Sequence, residues 1–104
     1  MVIMTKTNWL IIINNSATDG LIIYQFYGTE KTVKELLLHF VEEDRKGDKD
    51  YFIKGTKTIN DINDDELGEL NAYTIYSNYC IEYTAIRLDK IYSININRYK
   101  NKRK

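Results

Sequence analysis

A chain of 104 residues with ordinary apolar content has the length of one domain and can bury one core. A deep enzyme cleft would compete with that core for the same side chains, so shallow surface sites are expected. The 15 Lys and Arg residues balance the 15 Asp and Glu, which argues against nucleic-acid binding through strong overall positive charge.

In chain order, "NWLIIIN" (8–14) is short, rich in β-branched residues and closed by the turn-forming "NNSATDG", so it reads as a strand. "LIIYQFY" (21–27) reads as a second strand, joined to the first in an antiparallel hairpin through Asn15, Asp19 and Gly20. Both runs are apolar on both faces near their middles, which predicts central positions in a sheet.

The period then changes from two to 3.6. Val33, Leu36, Leu37, Phe40 and Val41 form a stripe about 140° wide, predicting an amphipathic helix over 30–46 with one buried face. Thr29 and Thr32 are candidate N-caps, and Gly47 follows Arg45 and Lys46 as a stop. Leu38 lies well off the apolar stripe and is expected at the surface.

Charges, Gly55, Gly68 and the pair Ile59 and Ile62 fit a helix of one or two turns over 58–66, capped by Thr56 or Thr58. "LNAYTIYS" and "YCIEYTAIRL" form a second hairpin around Ser77 and Asn78. With those two residues as the turn, Tyr76 opposes Tyr79, Thr74 opposes Ile81 and Ala72 opposes Tyr83 on one face, leaving Tyr73, Ile75, Cys80, Glu82 and Thr84 on the other. "KIYSININ" (90–97) alternates like a last strand. The order ββα(α)βββ predicts an α+β fold of two layers, a mostly antiparallel sheet of about five strands with one main helix on one face, in a single domain over 1–104. Residues 98–104, with Arg98, Lys100, Lys102, Arg103 and Lys104, make a basic tail that is expected to be a solvated terminus and gives only a minor route to nucleic acid.

Catalytic and metal motifs fail on inspection. His39 falls opposite the apolar stripe and nothing at ligand spacing accompanies it. "DINDDE" (61–66) opens like a calcium loop with Asp61, Asn63 and Asp65, but Glu66 replaces the required glycine and Ala72 the bidentate glutamate. Cys80 is the only cysteine, so no intrachain disulfide forms, and it reads as a small buried hydrophobe in a cytoplasmic protein. The longest apolar run, "WLIII", is far too short to span a membrane. No cofactor and no enzymatic activity is expected.

The tyrosine hairpin is the feature with binding chemistry. Tyrosine presents a large amphipathic surface at low entropic cost and stacks on nucleobases, while arginine clamps phosphate or carboxylate. Tyr76, Tyr79, Tyr83 and Arg87 are therefore the candidate partner-binding residues, weighed against their use as core wall.

"IIYQFYGTEKTVKELLLHFVEEDRKGD", "KGTKTI" and "AYTIYSNYCIEYTAIRLDKI", taken together, resemble small proteins encoded by phages and mobile elements of low-GC bacteria. The resemblance implies cytoplasmic action during infection and a non-catalytic, anti-defence role of the anti-CRISPR-like kind. The first expectation is an inhibitor docking on a host defence protein, a CRISPR or other effector. A sponge that sequesters a nucleotide immune signal is the alternative, and nucleic-acid binding through the basic tail the third. A homo-oligomer is compatible with each.

Overall fold

The computed structural model describes residues 5–64 and 68–90. Strands β1 (Thr7–Asn15) and β2 (Leu21–Gly28) precede helix α1 (Glu30–Gly47), followed by β3 (Phe52–Gly55), the two-residue β4 (Asn63–Asp64), β5 (Glu69–Tyr76) and β6 (Cys80–Arg87). The sheet is antiparallel in the order β2-β1-β6-β5-β3, with β4 pairing on the same strand β5. This is the expected α+β architecture of one helix on an open antiparallel sheet.

Each hairpin follows from its turn. Asn15 Oδ1 accepts the Ala17 N–H at 2.9 Å, and Gly20 takes a φ of 105°, a backbone conformation that a side chain would oppose. In the second hairpin Tyr76 N–H donates to the Tyr79 carbonyl at 2.8 Å across Ser77 and Asn78. The resulting register places Ala72 opposite Tyr83, Thr74 opposite Ile81 and Ile75 opposite Cys80, as the two-residue turn requires.

Helix α1 starts at Thr29, whose side chain accepts the Thr32 N–H at 3.2 Å. Its buried line is Val33, Leu37 and Val41, flanked by the partly buried Leu36 and Phe40. Leu38, expected at the surface, is partly buried against the core. The sheet side of the core is Trp9 and Ile11 of β1, Ile81, Tyr83 and Ala85 of β6, and Leu70, Ala72, Thr74 and Tyr76 of β5. In an antiparallel sheet directly opposed residues share a face, so the registers assign one face to the helix and leave Leu10, Ile12, Leu21, Ile23, Tyr27, Tyr73, Ile75 and Ile86 on the other.

Three expectations are corrected. Among the described residues β2 is an edge strand, not a central one: its apolar residues on both faces stand in solvent, with Leu21, Ile22 and Ile23 each more than half exposed. The helix expected over 58–66 is a single 3₁₀ turn, Ile59–Asp61, because the Asp61 carboxylate accepts from both the backbone N–H and the hydroxyl of Thr58 and closes the turn. The chain then buries Ile62 and pairs Asn63 with Asn71 on β5. The strand Phe52–Gly55 lies where no strand was expected, and the strand expected over 90–97 begins at the last described residue and otherwise falls outside the described residues, as does the basic tail.

Candidate functional site

The second hairpin points Tyr76, Tyr79 and Tyr83 toward the C-terminal end of α1, and Asp44 in its last turn and its C-cap Asp48 supply a partner for each hydroxyl. Tyr83 is fully buried and donates to the Asp44 carboxylate. A phenol has one proton to give, so the Thr74 hydroxyl, 3.0 Å away, is the donor to the Tyr83 oxygen. Tyr76 donates to the Asp44 main-chain carbonyl at 2.6 Å, a carbonyl that also accepts the C-cap Asp48 N–H at 3.3 Å. Tyr79 donates to Asp48 Oδ2 at 2.6 Å and stacks on Tyr76 with ring centroids 4.3 Å apart. Phe52 meets Tyr76 edge-on at 6.2 Å, and the Arg45 guanidinium lies 5.9 Å from the Phe52 ring.

These surroundings hold all three phenols protonated above their ordinary range. For Tyr83 burial is the larger cause, followed by donation to Asp44. For Tyr79 the bond to Asp48 leads. For Tyr76 burial leads, with the charges of Asp44 and Asp48 acting in the same direction.

The structure therefore places Tyr76 and Tyr83 in the core wall, with their rings unavailable to an incoming partner unless the helix lifts. Tyr79 is half-buried at the hairpin end. Arg87 is not gathered with them: it sits at the far end of β6, opposite Trp9, with its Nε 3.6 Å from Asp89 Oδ1. His39 is exposed and Cys80 half-buried with a free thiol.

The open sheet face carries what the hairpin's inner face does not. A shallow depression of about 440 Å³ lies there, lined by Lys54, Tyr73, Ile75, Cys80 and Glu82 among others. Tyr73 is 40% exposed, a large ring at the rim of this depression. Its backbone is fixed from the side by Thr56, which accepts the Tyr73 N–H on its hydroxyl and donates its own N–H to the Tyr73 carbonyl, both at 3.0 Å. Residue alternation from the Ser77 and Asn78 turn already puts Tyr73, Ile75 and Cys80 on one face. That signal identifies the exposed tyrosine of the hairpin; tyrosine count alone does not.

No helix of the described residues is long and apolar enough to cross a membrane. In comparison with known proteins, no family model, no curated protein and no solved structure matches the chain.

Proposed function

We propose that the protein is a non-catalytic inhibitor that docks by its open sheet face on another protein, and that this partner is a host defence protein, a CRISPR or other effector. The observation that carries the reading is the one-sided sheet: the helix covers one face, while the other presents Tyr73 and Ile75 around a shallow depression with Lys54 and Glu82 at its edges. A large aromatic ring with aliphatic neighbours and a charged rim is the composition of a protein-binding hot spot. The class of partner is supported by the resemblance of the chain to small phage and mobile-element proteins.

A second reading, sequestration of a nucleotide signal, is favoured by Tyr73 and Lys54 sharing that depression, a stacking face beside a cation that suits phosphate. The two are separated by one set of measurements. Bacteria with an active defence system and expressing this protein are challenged with a susceptible phage, with Tyr73→Ala in parallel. Restored plaquing that Tyr73→Ala abolishes, together with a complex between the purified protein and the defence effector, supports docking. Calorimetric binding of a cyclic dinucleotide or an ADP-ribose derivative without such a complex supports sequestration. Unchanged plaquing and flat titrations overturn both.

A further inference from the structure

Strand β2 presents an open sheet edge among the described residues. It pairs with β1 along its whole length, from Leu21 opposite Asn14 to Gly28 opposite Thr7, without a register break. Among the described residues it has a neighbour on one side only. Edge strands are ordinarily protected by charges, proline, bulges or shortness. "LIIYQFYG" is eight residues long and has none of these devices. Five of its side chains are large, apolar and exposed: Leu21 at 55%, Ile22 at 55%, Ile23 at 56%, Tyr24 at 47% and Tyr27 at 62%. They lie on both faces, Ile22 and Tyr24 on the helix side and Leu21, Ile23 and Tyr27 on the open side.

We infer that this edge pairs with the β2 edge of a second copy of the chain, forming a continuous antiparallel sheet across a two-fold axis. Self-pairing suits an uncharged strand, because no side chain meets its own charge across the axis. With the axis perpendicular to the sheet, opposed residues share a face, and two registers oppose seven residues each, one centred on Tyr24 and one on Gln25; the first is taken because it sets the aromatic ring of Tyr24, already stacked on Phe40, against its own copy. Leu21 then opposes the second copy's Tyr27, Ile22 its Phe26 and Ile23 its Gln25, while Tyr24 meets Tyr24.

An aromatic row inside each protomer ends at this axis. Tyr83 stacks on Phe40 with centroids 6.2 Å apart, and Phe40 stacks on Tyr24 at 5.9 Å. In the dimer the row continues into its symmetry mate. The five exposed side chains leave on the order of 500 Å² per protomer, more than half of the roughly 800 Å² that a standard interface covers on each partner. The main-chain ladder and the outer parts of Gln25 and Phe26 add to it.

The test is sedimentation of the full chain with two charge variants of Tyr24, whose side chain is half in solvent and whose replacement leaves the hairpin ladder intact. The unaltered protein is expected at twice the chain mass. Tyr24→Lys and Tyr24→Glu each place like charges against one another on the axis and are expected to weaken self-association about a hundredfold. An equimolar mixture of the two is expected to recover the dimer mass, a result that requires the two copies of residue 24 to lie next to one another across the axis. Circular dichroism and Trp9 emission confirm that the variants fold.

A monomer throughout the micromolar range overturns the inference. If a monomer becomes a dimer once residues 91–104 are deleted, the edge belongs to the chain's own C-terminal segment, which also overturns it. Self-association of Tyr24→Lys equal to that of the unaltered chain does the same. The dimer does not depend on docking at Tyr73, which lies on β5, so either can fail while the other stands.

Discussion

The Tyr83 hydroxyl on β6 donates to the Asp44 carboxylate in the last turn of α1, bridging sheet and helix at the edge of the core. Because the acceptor is charged, Tyr83→Phe is expected to cost about 1.5–3 kcal/mol, while Tyr83→Ala, which also empties the ring's space, costs about 3–5 kcal/mol. In a domain of this size the first corresponds to a fall in Tm of roughly 10 °C. Thermal unfolding of Tyr83→Phe, Asp44→Ala and the double variant measures the pair directly. The two effects should fall short of additive, and strict additivity would show that the bridge contributes nothing.

High pH acts on the same bridge. The phenols of Tyr76, Tyr79 and Tyr83 all ionise above their ordinary value of 10.0 in the folded state. Above pH 10 the unfolded chain releases phenolic protons that the folded chain retains, so unfolding gains free energy. The contribution is complete below pH 10 and is lost as pH rises beyond it. Denaturation midpoints between pH 8 and 11 are expected to fall most steeply above 10, and Tyr83→Phe should have a shallower slope than the unaltered chain.

Tyr73 differs from Tyr83 in consequence as it does in exposure. Tyr73→Ala should alter unfolding free energy by no more than about 0.5 kcal/mol, as surface changes generally do, while weakening partner binding about tenfold or more. Calorimetry of binding beside a denaturant curve checks both halves.

Gly55 gives a prediction about packing. A Cβ at this position would meet the Tyr73 carbonyl oxygen at 3.0 Å and Val41 Cγ1 at 3.3 Å, between β5 and the helix. Main-chain oxygen does not yield readily, so Gly55→Ala is expected to destabilise by about 1–3 kcal/mol. Gly47→Ala meets nothing within 4 Å and serves as the control, with near-unchanged stability.

Local signals in the sequence were sufficient for the helix and for both hairpins. The stripe from Val33 to Val41 has one period and one face, and Ser77 and Asn78 define the register of everything from Ala72 to Tyr83. Strand β3 escaped because "FIKG" is too short for alternation to appear and ends in glycine. The place of β2 is not legible in its residues, because apolar side chains on both faces describe a central strand and an unguarded edge equally well. The tyrosines could not be sorted by composition. Their environments depend on Asp44 and Asp48, 31 to 39 residues earlier in the chain and brought to the hairpin only by the docking of α1. Arg87 was grouped with them by proximity in sequence, whereas a strand carries it away from the turn at about 3.3 Å per residue.

The strand order also dictates how the chain is made. β1 lies between β2 and β6, so it gains its second neighbour only when the last described strand emerges from the ribosome, with Trp9 opposite Arg87 and Ile13 opposite Tyr83. At about 5–20 residues per second, that interval lasts roughly 4–15 s. Throughout it the nascent first hairpin holds "WLIII" and "LIIY" without the neighbouring strand β6, and for the first part of it without helix α1 as well. For those seconds it is the order of synthesis that leaves apolar strand surface and an unpaired strand edge open to aggregation.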